Sequence, residues 1–254
     1  MNWVACYTLL VKEVTRWRKV WMQTVMAPVV TALLYLLVFG HVLEGRVEVF
    51  PGVSYTAFLI PGLLMMTVIQ NAFANTSSSL IQSKVMGSIV FILLPPFSAF
   101  ELFLAYIGAA ILRGLAVGIG VFMLAIFYVK VPIDNFLVIL TFAVLGSYVM
   151  GALGLIAGMW AEKFDQISAF QNFLIMPLTF LSGVFYSIKS LPPFWYLLSK
   201  FNPFFYMIDG FRHGFFGQSD QPLSLSLGVM TLAAALLTLI CVKMLKSGYK
   251  MRDS

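Results

Sequence analysis

Charge is scarce in this sequence. Asp, Glu, Lys and Arg make up 10% of its 254 residues, while 61% are hydrophobic. With a mean hydropathy of +0.94, a chain of this length has too little polar surface for a water-soluble domain, so it reads as an integral membrane protein. Cysteine is almost missing. Cys6 and Cys241 stand alone, both near the face predicted below to be cytoplasmic, which argues against a disulfide. Catalytic signatures are missing too. Without a GxxxxGKS/T run the chain cannot cradle ATP on a P-loop of its own. HExxH, GxSxG and Cys/His clusters are equally absent, His41 has no ligating neighbours, and the few acids scatter over loops. Neither an intramembrane hydrolase nor a metalloenzyme has residues to work with, and no catalytic, cofactor-binding or metal-ligating residue is predicted. The net charge of +6 comes with no nucleic-acid fold motif and is explained by topology and anionic lipid.

What the chain has is apolar length. At a rise of about 1.5 Å per residue, runs of about 20 residues cross a hydrocarbon core of about 30 Å, and six such spans are predicted near 21–42, 57–79, 98–129, 136–160, 167–188 and 224–245. The first run is too long for a signal-peptide core and no cleavage site follows it, so it is expected to stay in the mature protein. Six spans put both ends on one side. That side carries Lys12, Arg16, Arg18, Lys19, Lys84, Lys163, Lys243, Lys246, Lys250 and Arg252, against Arg46, Lys130, Lys189, Lys200 and Arg212 on the other. The positive-inside rule then places both termini in the cytoplasm. The fold class predicted is an all-α integral membrane protein, a single transmembrane domain over 1–254.

Ahead of the first span, Trp3, Tyr7, Leu10, Val14, Trp17 and Trp21 recur at three- and four-residue intervals with Lys12, Glu13, Arg16 and Lys19 between them. Residues 1–20 are therefore predicted to be an interfacial amphipathic helix, either a membrane anchor or a docking lever for a cytoplasmic partner. In the second span Asn71, Asn75 and Ser78 or Ser79 share one helix face, which must look inward, bonding other helices or lining a wet path. Arg113 lies about halfway along the third span. A bare cation there costs at least about 2.5–3.5 kcal/mol, so it must pair with another helix or serve the transport path. Ala110, Gly114 and Gly118, and Ser147-Gly151 with Gly154-Gly158, form small-residue stripes for close packing within the chain or for a dimer seam. The stretch 82–98, QSKVMGSIVFILLPPFS, reads as a short cytoplasmic helix between spans two and three, stopped by Pro95-Pro96.

From Phe173 to Gly217 the chain is apolar enough to enter a bilayer but is interrupted by Pro177, Gly183, Pro192, Pro193 and Pro203. Each proline removes a backbone donor and clashes with the preceding turn. A straight helix is excluded. The stretch is predicted to be a span to about Ile188 followed, over 189–217, by short re-entrant helices broken at Pro192-Pro193 and at Asn202-Pro203, with Arg212 near their end.

Six spans with cytoplasmic ends, the IPGLLMM opening of span two, the run from Lys84 to Pro96, and above all SGVFYSIKSLPPFW followed by NPFFYMIDGFRHGFFG resemble the ABC-2 family of transporter permeases, in particular its small inner-membrane members. The resemblance covers essentially the whole chain. It implies a type V exporter-like fold and a half-transporter: a homodimer of the permease with two copies of a separate ABC ATPase, which holds the ATP and Mg. The substrate, lipid-like, glycan or drug-like, would be exported outward across the cell inner membrane. The same resemblance assigns ATPase coupling to the 82–98 helix, through Gln82, Lys84, Gly87, Ile89, Phe91, Leu93, Pro95 and Pro96. Where the family usually carries an arginine and glutamates, this chain has Gly87, Val90 and Phe91, so the grip expected here is apolar. Asn71, Asn75 and Arg113 are the expected intramembrane polar residues, and Pro192, Pro193, Asn202, Pro203 and Arg212 those of the re-entrant segment. Two other functions remain open: an ion-driven secondary carrier, which would want paired intramembrane acids or an internal repeat, and a non-transporting assembly or scaffold protein.

Overall fold

Helices make up every regular element of the computed structural model, in which residues 3–45, 49–94 and 98–250 are described. In chain order they are α1 (Trp3–Arg18), α2 (Ala27–Leu43), α3 (Tyr55–Val85), α4 (Ile89–Leu93), α5 (Ala99–Tyr128), α6 (Phe136–Trp160), α7 (Phe164–Phe170), α8 (Met176–Phe180), α9 (Pro193–Lys200), α10 (Pro203–Phe216) and α11 (Leu223–Ser247). π-helical turns at Met22–Met26 and Gln171–Ile175 lead into α2 and α8. Among the described residues, five stretches are helices long and apolar enough to cross a membrane: Met22–Leu43, Tyr55–Val85, Ala99–Tyr128, Phe136–Trp160 and Leu223–Ser247.

The caps explain several of the boundaries. Ser98 Oγ accepts the Glu101 amide at 3.2 Å while the Glu101 carboxylate accepts the Ser98 amide at 2.8 Å, a reciprocal box that opens α5. Asn135 Oδ1 accepts the amides of Leu137 and Val138 to open α6. At the far end of α10, Gly217 takes φ +64°, a conformation a side chain would strain.

Two predicted elements come out differently. The predicted span at 167–188 is a helix from Phe164 to Phe180 only, seven α-helical residues, five π-helical and five α-helical, followed by turns. Pro177 sits two residues past the π turn and cannot donate to the carbonyl four residues back, and Gly183 at φ +77° turns the chain away. Nor is 82–98 one helix. Gln82 and Lys84 belong to the end of α3, Gly87 reverses the chain at φ +68°, and α4 is a single turn of five residues. A left-handed glycine ends α3 where the sequence pattern alone suggests a continuing helix. Pro95 and Pro96 lie outside the described residues.

α3 is the axis of the molecule: 89% of its apolar window is buried, against 17% for α11 and 22% for α2. α5 and α6 flank it, and glycine lets them close in. A methyl group at Gly114 would sit 2.7 Å from Ser147 Oγ, one at Gly118 2.6 Å from Val68, and one at Gly151 2.8 Å from Ala110. Gly154 and Gly158 meet Phe73, Thr76, Ser77 and Leu80 of α3. The small-residue stripes thus face helices of the same chain. One core cluster surrounds α3 with residues of α5, α6 and α10; a second, at the end bearing Lys84, joins Leu9, Leu80, Ile89, Ile92, Leu102 and Phe103.

Candidate functional site

The turn between α3 and α5 separates its residues sharply. Ile89 and Ile92 are buried in the second core cluster, and Lys84 is only 5% exposed. Lys84 Nζ reaches across to the end of α6 and donates to the carbonyls of Met159 at 2.8 Å, Ala161 at 2.6 Å and Gly158 at 3.4 Å. These are the carbonyls a helix leaves without intrahelical donors, so Lys84 acts as a C-cap supplied in trans. That withdraws Lys84 and Ile89 from the surface a partner could meet. Phe91 at 75% exposure, with Met86, Val90 and Leu94, stands out from the turn, while Leu93 is at the margin. Gln82 is half-buried.

α1 runs lengthwise along the first half of α5. The Cys6 thiol donates to the Glu101 carbonyl, and Leu10 packs on Gly108. The side of α1 turned to the protein is Leu9 and Glu13, both buried, whereas Trp3 and Tyr7 of the aromatic stripe point away. At the end of α1, Arg16 Nε meets Glu13 Oε2 at 3.2 Å, and Arg16 Nη2 donates to Asn75 O at 2.8 Å and Asn75 Oδ1 at 3.1 Å. One turn along α3, Asn71 Oδ1 accepts from Arg113 Nη2 of α5 at 3.2 Å. The polar face of α3 therefore holds two arginines, one from each neighbour. Sequence reasoning missed the first. The Glu13–Arg16 spacing of three was its only local signal, and nothing nearby in the chain points to Asn75.

At the opposite end, α9 and α10 form a hairpin whose tip is Asn202-Pro203. Pro192 and Pro193 open α9, where a missing amide donor costs nothing, and Pro203 does the same for α10. Ser199 Oγ donates to Leu181 O and Asn202 Nδ2 to Leu178 O, tying the tip to the end of α8. From there α10 runs to the start of α6, where Gly214 abuts Asn135 and Ile139.

Arg212 of α10, 1% exposed, donates through Nη2 to Gly183 O at 2.9 Å and Val184 O at 3.3 Å, and stacks 3.8 Å over the Phe58 ring. Two carboxylates balance it. Asp209 accepts the amides of Asp220 at 2.7 Å and Gln221 at 3.0 Å, and Asp220 accepts Ser187 Oγ at 2.6 Å and the Ile188 amide at 3.0 Å. Burial pushes the Asp209 carboxyl up to about 6, although the two amides and Arg212 pull the other way. Asp209 and Asp220 were not singled out from the sequence, because an acid that binds backbone amides across a turn leaves no periodic mark. Beside this cluster a cavity of about 1020 Å³ is lined by Tyr55, Tyr186, Lys189, His213 and Gln221 among others. No group of three or more His, Cys, Asp or Glu that could hold a metal ion occurs among the described residues.

A family model described as ABC-2 type transporter matches residues 4–216. Over 253 residues the chain is 39% identical to the inner membrane transport permease YadH of Escherichia coli strain K12, covering 100% of this chain and 99% of that protein. It is 23% identical over 195 residues to nodulation protein J of Rhizobium meliloti strain 1021, covering 75% of this chain and 72% of that protein.

Proposed function

This chain belongs to the ABC-2 transporter family, whose members are transport permease subunits rather than enzymes, and we propose from that premise that it is the membrane half of an ATP-driven exporter. Two copies would assemble with two copies of a separate ATPase chain, which supplies the P-loop this sequence lacks and binds the ATP and Mg. The substrate would be an amphiphile, lipid-like, glycan-bearing or drug-like, moved outward across the inner membrane. The sixth span of the permease would be Phe164–Phe180, with the α9–α10 hairpin re-entering the bilayer from the outer side and both termini in the cytoplasm.

The observation that carries this reading is the exposed apolar knuckle of Met86, Val90, Phe91 and Leu94, held on a rigid base. Four large apolar side chains exposed on and beside a five-residue helix are an interaction surface, not a solvated loop. Their base is fixed because α4 sits on Ile89 and Ile92 and because Lys84 fastens the end of α3 to the end of α6. A push on the knuckle would therefore reach two central helices at once. ATP binding can shift the permease only through such a differential contact. Burying Phe91 in a partner groove would contribute roughly 1.5–3 kcal/mol.

The test is Phe91→Asp in the full chain expressed with its ATPase. The variant is expected to insert and purify with the wild-type elution profile while the ATPase is lost from the complex, or hydrolyses ATP without export. A cysteine at position 91 that cross-links to lipid and never to the ATPase would overturn the assignment of this surface.

A further inference from the structure

Arg113 is the fifteenth residue of the thirty-residue α5, about 21 Å from the start of the helix. Its one hydrogen-bond acceptor among the described residues is a neutral amide oxygen, Asn71 Oδ1 at 3.2 Å. Its Nε is buried and has no partner. The charged group that acts on it is Arg16, of the same sign. The carboxylate that meets Arg16 among the described residues, Glu13, is already shared: Lys12 Nζ and Arg16 Nε each approach it at 3.2 Å. Two arginines and one carboxylate leave the junction of α1, α3 and α5 with an excess positive charge, and a buried net charge is costly.

The hydrogen-bond inventory leans the same way. Asn71 and Asn75 have spent their side-chain oxygens on Arg113 and Arg16. What remains buried and unpartnered here is Asn75 Nδ2 on a residue with 0% exposure, Trp17 Nε1 and Arg113 Nε, which can only donate, and the Ser79 and Tyr106 hydroxyls, which can donate as well as accept. A water could take up a donor but would leave the charge, a metal cation would add to it, and an anion answers both. Access exists at the edge: the Arg16 side chain is 25% exposed and Arg113 is half-buried.

We infer that Arg16 and Arg113 bind a phosphate-type oxyanion at the junction of α1, α3 and α5. The planar guanidinium fork matches two oxygens of such a group, and the ligand supplies the negative charge that the chain itself does not. The oxyanion is either the headgroup of an anionic phospholipid entering between α1 and α5 or free phosphate. The inference goes beyond the transport reading and needs no ATPase.

The test uses the purified full chain in nanodiscs of phosphatidylcholine, with phosphatidylglycerol or inorganic phosphate added in separate arms. Thermal unfolding and native mass spectrometry are the readouts. The wild type is expected to gain in melting temperature from an oxyanion source and to retain one copy per chain. A response to phosphatidylglycerol alone identifies the lipid as the source, and a response to inorganic phosphate identifies the free ion. Arg113→Gln should weaken binding roughly tenfold or more, the loss of a charge-assisted hydrogen bond, and Arg113→Lys should restore part of it. Asn71→Asp keeps the size and supplies an internal counter-charge. It should fold in phosphatidylcholine alone and respond to neither source. A wild type indifferent to both sources, or an Asn71→Asp variant that responds as the wild type does, overturns the site.

Discussion

Arg212 and Arg113 are both taken out of bulk water, and the protein treats them in opposite ways. Around Arg212 two backbone carbonyls and an aromatic face close on the guanidinium, and two carboxylates act on it through space, themselves held by backbone amides and a serine hydroxyl. Around Arg113 stand one neutral oxygen and another cation. The first arrangement finds its counter-charge within the chain, although Arg212 Nε, like Arg113 Nε, is buried without an acceptor among the described residues, and it holds α10 to α3 and to the turns after α8. The second is short of one negative charge. A buried arginine is thus a fastener where its charge is answered by the fold and a binding group where it is not.

Breaking the fastener should have the largest effect. Arg212→Gln would leave Asp209 without its counter-charge, leave Asp220 with only Lys189 at 3.8 Å, and empty the space over Phe58. It is expected to cost about 3–5 kcal/mol, seen as aggregation on size exclusion or a large drop in melting temperature that no added lipid repairs. If Arg212→Gln were as mild as Arg113→Gln in phosphatidylcholine, the contrast between the two sites would collapse. Next comes the clasp of α3 on α6. Lys84→Met keeps the length and burial but leaves three terminal carbonyls without a donor, which should cost about 2 kcal/mol and speed hydrogen exchange in the last turn of α6. An unchanged exchange rate there would show that water caps the helix equally well. Smallest is the exposed pair Lys250 with Glu162 at 2.7 Å. Its hydrogen bond holds the Glu162 carboxyl below the ordinary range, yet solvent screens it. Glu162→Gln should leave the melting temperature unchanged at low and at high salt alike, and a salt-sensitive loss would show this pair to be structural.

The spans with a clean apolar run and a strong cap were legible in the sequence: α5 behind Ser98, α6 behind Asn135, and α11 up to the glycine at 248. The broken stretch after Phe173 was legible as broken, because prolines state where a helix cannot donate. What could not be read were contacts made at a distance. In the sequence Lys84 reads as a cytoplasmic charge on the coupling helix, because charge usually marks a membrane edge, and only the packing of α3 on α6 brings it under the carbonyls of Met159 and Ala161. The apolar run 89–94 was expected to offer Ile89, Phe91 and Leu93 together. A one-turn helix turns them different ways, sending Ile89 inward and Phe91 out. The polar face with Asn71 and Asn75 was visible as a face, but Arg16 as its partner required the path of α1 along α5.

The two π-helical turns set where this chain could gain or lose a residue in its history. A π turn is a helix carrying one residue more than its hydrogen-bond register needs, and both instances stand at the entry of helices that begin with a proline in their first turn, ahead of Pro28 and Pro177. Deleting a residue there would cost only the turn itself and leave the helix beyond it intact. The same deletion between Asn71 and Asn75 would rotate everything past it by about 100°, carrying Asn75 away from Arg16 and the seat of Thr76 away from Gly151, to which it now donates at 2.8 Å. Length variation among homologous chains should therefore gather at residues 22–26 and 171–175 and be absent from α3.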